Sequence, residues 1–85
     1  MGGYQNTERK VIVLPEAEDE ARRLRLKPQL ERLVERLRKR SLIKGFKKIE
    51  PKTANTWEAR LKLRWRAYII FDDDIPTIFR VGDHL

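Results

Sequence analysis

From Glu58 to Arg66 every second residue is charged (Glu58, Arg60, Lys62, Arg64, Arg66), and Trp57, Ala59, Leu61, Leu63 and Trp65 fill the alternate positions. A period of two sends alternate side chains to opposite faces of a strand, which predicts one apolar and one largely cationic face. No Gly, Pro or Asn separates this run from the apolar stretch at 68–71. Taken as one strand it would be about fifteen residues long, where five or six is usual. A hairpin turn without turn-forming residues is therefore expected at 62–64. Asp72, Asp73 and Asp74, ahead of Ile75 and Pro76, mark the next turn, and a last strand is expected at 77–81 before Gly82, Asp83 and His84.

The N-terminal half changes period. Residues 10–14 are a β-branched run stopped by Pro15, which suits the first turn of a helix. Glu16, Glu18, Asp19 and Glu20 crowd the start of that helix and Arg22, Arg23 and Arg25 its end, the polarity that the helix dipole favours. Ala17, Ala21 and Leu24 give it a thin apolar face. Pro28 opens a second helix whose Leu30, Leu33, Val34 and Leu37 fall at i, i+3, i+4 and i+7. Residues 41–45 end that helix, 46–49 read as a short strand and 50–55 as a loop. The expected fold is α+β: two antiparallel helices packed on a small, mainly antiparallel sheet of about four strands, in the order β-α-α-β-β-β. Residues 1–8 read as a flexible N-terminus and 9–85 as a single domain.

The chain has 85 residues and no cysteine, so disulfides and thiolate metal sites are excluded and one modest core must suffice. No apolar run approaches the roughly 20 residues of a membrane span and no secretory leader is visible, which predicts a cytoplasmic protein without membrane contact. Net charge is +7 and unevenly placed: residues 38–66 hold eleven Lys/Arg against Glu50 and Glu58. A concentrated basic region calls for a polyanionic partner, nucleic acid first. A solvated basic surface is the plain alternative.

Metal-free RNA cleavage needs a base for the 2′-OH proton, cations on the crowded phosphate and an acid for the leaving 5′ oxygen. Arg60 and Arg66 suit bidentate phosphate contact, and His84, the single histidine, suits proton transfer. The alternatives are an exposed residue near the chain end for His84 and a solvated sheet face for the cations. Lys62 and Arg64 become turn residues if the hairpin bends there. Trp57 and Trp65 have the parity of the core, whereas Tyr68 has that of the charged row and suits either base stacking or packing. The three aspartates read as a turn rather than a chelating site. No Ser-His-Asp order, phosphate-binding glycine loop, zinc spacing or dinucleotide fingerprint is present.

At this point the residues resemble the RelE/ParE superfamily of toxins from toxin–antitoxin systems. The resemblance runs from Lys10 to Leu85 and is most specific in Trp57 with Arg60, in Trp65-Arg66-Ala67-Tyr68, and in Val81-Gly82-Asp83-His84. It implies a RelE-like fold and ribosome-dependent cleavage of mRNA. Arg60, Arg66 and His84 would be catalytic, and Lys47, Lys48, Lys62, Arg64, Tyr68 and Arg80 would contact RNA. It implies no metal or cofactor, and it implies a cognate antitoxin that lays an acidic, partly disordered segment over basic residues such as Arg22, Arg36 and Arg40. Two positions depart from the pattern: Glu58 stands where many members carry a lysine, and Leu85 follows His84 where many continue to a tyrosine. They predict a weakened activity or another catalytic arrangement. The alternatives are a ParE-like gyrase poison, an inactive homologue that only binds its antitoxin, and an unrelated small basic RNA-binding domain.

Overall fold

The structure is a computed structural model that describes residues 8–49 and 55–85. The N-terminal segment 1–7 and most of the 50–55 loop, both singled out above, lie outside the described residues. The chain runs β1 (Ile12–Val13), α1 (Pro15–Arg23), α2 (Lys27–Lys39), β2 (Lys47–Lys48), β3 (Thr56–Lys62), β4 (Trp65–Asp72) and β5 (Ile75–Gly82). The strands form one sheet in the order β1-β5-β4-β3-β2, antiparallel throughout except where β1 lies parallel to β5.

The α+β architecture matches expectation, with five strands instead of four. The hairpin expected at 62–64 is present: the chain turns at 63–64 and divides the long alternating run into β3 and β4. Its turn contains no glycine, so Leu63 takes a left-handed φ of 51°. That conformation costs a side-chain-bearing residue about 1–2 kcal/mol, and the strand pairing that it closes offsets the cost. The tripled aspartate forms the second turn, with Asp73 at φ 55°.

Helix faces and sheet face meet as the periodicities require. Ala17 and Ala21 of α1 and Leu30, Leu33 and Leu37 of α2 bury against Ala59, Ala67, Ile69, Ile78 and Val81. Cross-strand pairs keep these sheet residues on one side: Ala59 is opposite Ala67, Ala67 opposite Val81, and Ile69 opposite Ile78. Small Ala17 and Ala21 let α1 approach β5 closely. Trp57 and Trp65 pack against this core, as their parity predicted, and Trp57 stacks on Phe46 with ring centroids 4.9 Å apart.

Arg9 ties the far end of the sheet together. Its Nε donates to the Leu37 carbonyl at 2.8 Å, its guanidinium lies 5.3 Å from the centre of the Phe71 ring, and it pairs with Asp74 at 3.0 Å. Arg40, in the left-handed cap of α2, binds the same carboxylate. Arg40 first, then Arg9, holds the Asp74 carboxyl down at about 2, against an ordinary value of 3.8. A carboxyl depressed in the folded state stabilises the fold above its unfolded pKa, and that contribution is lost as pH falls through the folded one. Between pH 3.8 and about 2, the wild-type chain should therefore lose stability more steeply than Asp74→Asn. Urea titrations across that window check this, and because the side chain is exposed the difference should shrink in high salt.

A candidate nucleic-acid-binding face

The sheet face turned away from the helices is built from two rows of paired residues. In the first, Lys47 is opposite Glu58, Glu58 opposite Tyr68, and Tyr68 opposite Arg80. In the second, Arg60 is opposite Arg66 and Arg66 opposite Gly82. Strand pairing thus sets Arg60 and Arg66 side by side and starts the Asp83-His84-Leu85 tail from a point beside Arg66.

The cation row is not continuous, because Glu58 lies within it. Its carboxylate accepts a charge-assisted contact from Arg66 Nε at 3.1 Å, lies 3.8 Å from Lys47 Nζ, and its side chain is 15% exposed. Arg66 also donates through Nη1 to the Arg64 carbonyl at 3.0 Å. The guanidinium is therefore aimed by two acceptors. Arg60 has no carboxylate partner among the described residues and is exposed. Its stem packs on Gly45, where an added Cβ would come within 2.9 Å of Arg60 Cβ, and its backbone N–H donates to the Lys44 carbonyl at 3.1 Å. Gly45 at φ 67° admits the turn that makes this approach.

Other expected contacts are placed differently. Tyr68 is only 3% exposed, so its ring is covered and does not offer a stacking surface. Burial, and then the Glu58 charge, push its phenol above the ordinary 10. Lys48 pairs with Trp57, on the helix side of the sheet, and so points away from the row that carries Lys47. Arg80 is bound by Glu20 of α1 at 2.9 Å, and the same carboxylate accepts the Val81 N–H at 2.8 Å. Phe79 is unpaired where the β4–β5 register shifts, and this extra residue sets Val81 with Ile78 on the helix side and Arg80 opposite Tyr68. Arg64 stacks on Trp65, 4.8 Å from the ring centre, beside the hairpin turn, and Lys62 closes β3 next to it. His84 lies past the end of β5 with 83% of its side chain exposed, its Nε2 3.8 Å from Asp83.

Glu58 is the residue that sequence reasoning set aside as a departure. Its parity with Arg60 was the available signal, because residues two apart on a strand share a face. What parity cannot reveal is that the neighbouring strand returns Arg66 to the same spot.

No protein-family model matches the sequence, and no curated protein matches it significantly. Solved structures do. A copper-bound mutant toxin from Helicobacter pylori superposes with a TM-score of 0.72 at 20% identity, covering 88% of this chain and 93% of that one. The YoeB dimer from Staphylococcus aureus gives 0.71 at 13% identity, covering 89% and 97%. The fold is that of the RelE/ParE-type toxins. YafQ in the Escherichia coli DinJ–YafQ toxin–antitoxin complex shares the RelE-like fold as well, with a TM-score of 0.70, 13% identity and coverage of 88% and 91%.

Proposed function

We propose that this chain is the toxin of a toxin–antitoxin pair and cleaves mRNA presented on the ribosome. The supporting observation is the convergence of Arg60, Arg66 and Glu58 on adjacent strands beside the start of the His84 tail. In the reaction the RNA 2′ oxygen attacks the adjacent phosphorus, the P–O5′ bond breaks and a 2′,3′-cyclic phosphate remains. Arg60 and Arg66 hold the non-bridging oxygens and stabilise the charge that builds on them. Two proton-transfer groups are required, and the face offers two, Glu58 and His84. A phosphate that takes Arg66 from Glu58 frees the carboxylate to accept the 2′-OH proton, and His84, exposed past the end of β5, delivers a proton to O5′. The protein acts without a resident cofactor in this scheme, and its partner is an acidic antitoxin segment.

The ion pair between Glu58 and Arg66 also supports a second reading, in which the pair is permanent and the chain only binds a partner or poisons gyrase. Induction in cells separates the two. On the first reading ribosome-bound mRNA is cut, and His84→Ala lowers cutting by about 10²-fold, the usual size of a general acid's contribution. Intact mRNA accompanied by DNA breaks would establish the second.

A further inference from the structure

Tyr68 combines a covered ring with an unpaired hydroxyl. The residue is 3% exposed and lies mid-sheet, with Glu58 directly across from it on β3 and Arg80 on β5. Arg66 and Ile70, two residues away along β4, share its face. The Tyr68 hydroxyl has no hydrogen-bond partner among the described residues, yet it is not sealed in as the Gln29 side-chain oxygen is. The little surface that Tyr68 keeps therefore includes this oxygen.

The neighbours of the hydroxyl narrow what can bind it. Residues directly opposite on antiparallel strands have Cβ atoms about 4.5–5.5 Å apart, which sets the Glu58 carboxylate beside the phenol. The Glu58 side chain is 15% exposed, against 27% for Arg66 and 47% for Arg80, so donor and acceptor lie deeper than the guanidinium groups around them. Burial first, then Glu58, hold the phenol above its ordinary value, and it is a neutral donor at working pH. The covered ring excludes a stacked base. A phosphate, attracted by the arginines, is repelled from the deeper position by Glu58. A hydroxyl fits, because it donates one hydrogen bond and accepts another. On RNA that group is the ribose 2′-OH, which distinguishes RNA from DNA at a given site.

We infer that Tyr68 donates its hydroxyl to the 2′ oxygen of a bound ribose whose 2′-OH donates to Glu58, so that the pair selects ribonucleotides over deoxyribonucleotides. Tyr68 keeps its own proton throughout. As the 2′-OH proton passes to Glu58, negative charge grows on the 2′ oxygen and the bond from Tyr68 strengthens, since charged acceptors bind about twice as strongly as neutral ones. The covered ring holds the hydroxyl in place before the ribose arrives, so little side-chain freedom is lost on binding. That RNA is the ligand and that Glu58 takes the proton rest on the nuclease reading above, whereas recognition of the hydroxyl is measurable without cleavage.

The probes are one short single-stranded sequence made as RNA, as DNA and as 2′-O-methyl RNA, with uracil kept in all three, titrated by fluorescence anisotropy at moderate salt. The 2′-O-methyl form keeps the sugar pucker of RNA but has no hydroxyl proton to give Glu58. Wild type should bind RNA about fivefold more tightly than either analogue, the size of one net hydrogen bond. Tyr68→Phe, which removes only the oxygen, should bind RNA no better than DNA, with DNA affinity and Tm unchanged. Equal wild-type affinity for all three probes, 2′-O-methyl RNA binding as tightly as RNA, or a preference that survives in Tyr68→Phe would overturn the proposal. A parallel loss of DNA affinity in Tyr68→Phe would overturn it too, because the tyrosine would then only support the arginines. If the preference depends on Tyr68 but wild type cuts no mRNA, the hydroxyl site stands and the nuclease reading fails. If mRNA is cut without any sugar preference in binding, the nuclease reading stands and the hydroxyl site fails.

Discussion

Arg66→Ala should lower ribosome-dependent mRNA cleavage by about 10²–10³-fold, the loss expected when one preorganised donor to a developing oxyanion is removed. Arg66 is in the middle of the sheet face, opposite Arg60 on one side and Gly82 on the other, with Glu58 3.1 Å away. No neighbouring cation replaces it: Arg60 is anchored by its stem on Gly45, and Arg80 is bound by Glu20. Lysine at the same position keeps the charge but not the planar fork, so Arg66→Lys should recover only a minor part of the activity. Among the described residues, removing Arg66 leaves Glu58 with Lys47 alone at 3.8 Å, which also costs some stability. Primer-extension mapping of cut mRNA, with Tm measured on the same preparations, separates the two effects. Cleavage within a factor of a few of wild type in a folded Arg66→Ala protein would remove Arg66 from the mechanism.

Ile69→Ala should be the most damaging core substitution of its size, costing about 2–5 kcal/mol. Ile69 is fully buried in the middle strand, between Trp57 on β3 and Ile78 on β5. The core of an 85-residue chain without cysteine is small, so few other contacts can compensate for a cavity at its centre. Domains of this kind are stable by only about 5–15 kcal/mol. At about 4–8 °C of Tm per kcal/mol, the variant should melt at least about 8 °C below wild type. Thermal unfolding followed by circular dichroism measures this directly. Leu42→Ser, at an exposed position in the loop after α2, should leave Tm unchanged in the same assay. A drop in Leu42→Ser comparable to that of Ile69→Ala would mean that this loop, and not the sheet centre, carries the core.

The two helices were legible because each carries its own instructions. Pro15 and Pro28 lie in their first turns, acids precede bases along α1, and Leu30, Leu33 and Leu37 repeat at the spacing that buries them. The hairpin at Leu63 and Arg64 was legible only indirectly. No turn residue marks it, but the length limit on a strand required a break there. The first strand proved shorter than its apolar run, since only Ile12 and Val13 find ladder partners on β5.

The sheet's charged face was harder to read, for a physical reason. Alternation along one strand says which residues share a face, and it correctly separated Trp57 and Ala59 from Glu58 and Arg60. It says nothing of which residue on the next strand arrives opposite. Register therefore decided that Glu58 meets Arg66, that Tyr68 is covered, that Lys48 lies beside Trp57, and that the irregularity at Phe79 sets Arg80 opposite Tyr68. Local periodicity and composition, which act over a few residues, by themselves determined the fold class, the apolar faces of the two helices and the cationic character of this protein. Only the tertiary structure decided which cations remain available for a phosphate, because an ion pair depends on distances between strands that the chain brings together only by folding.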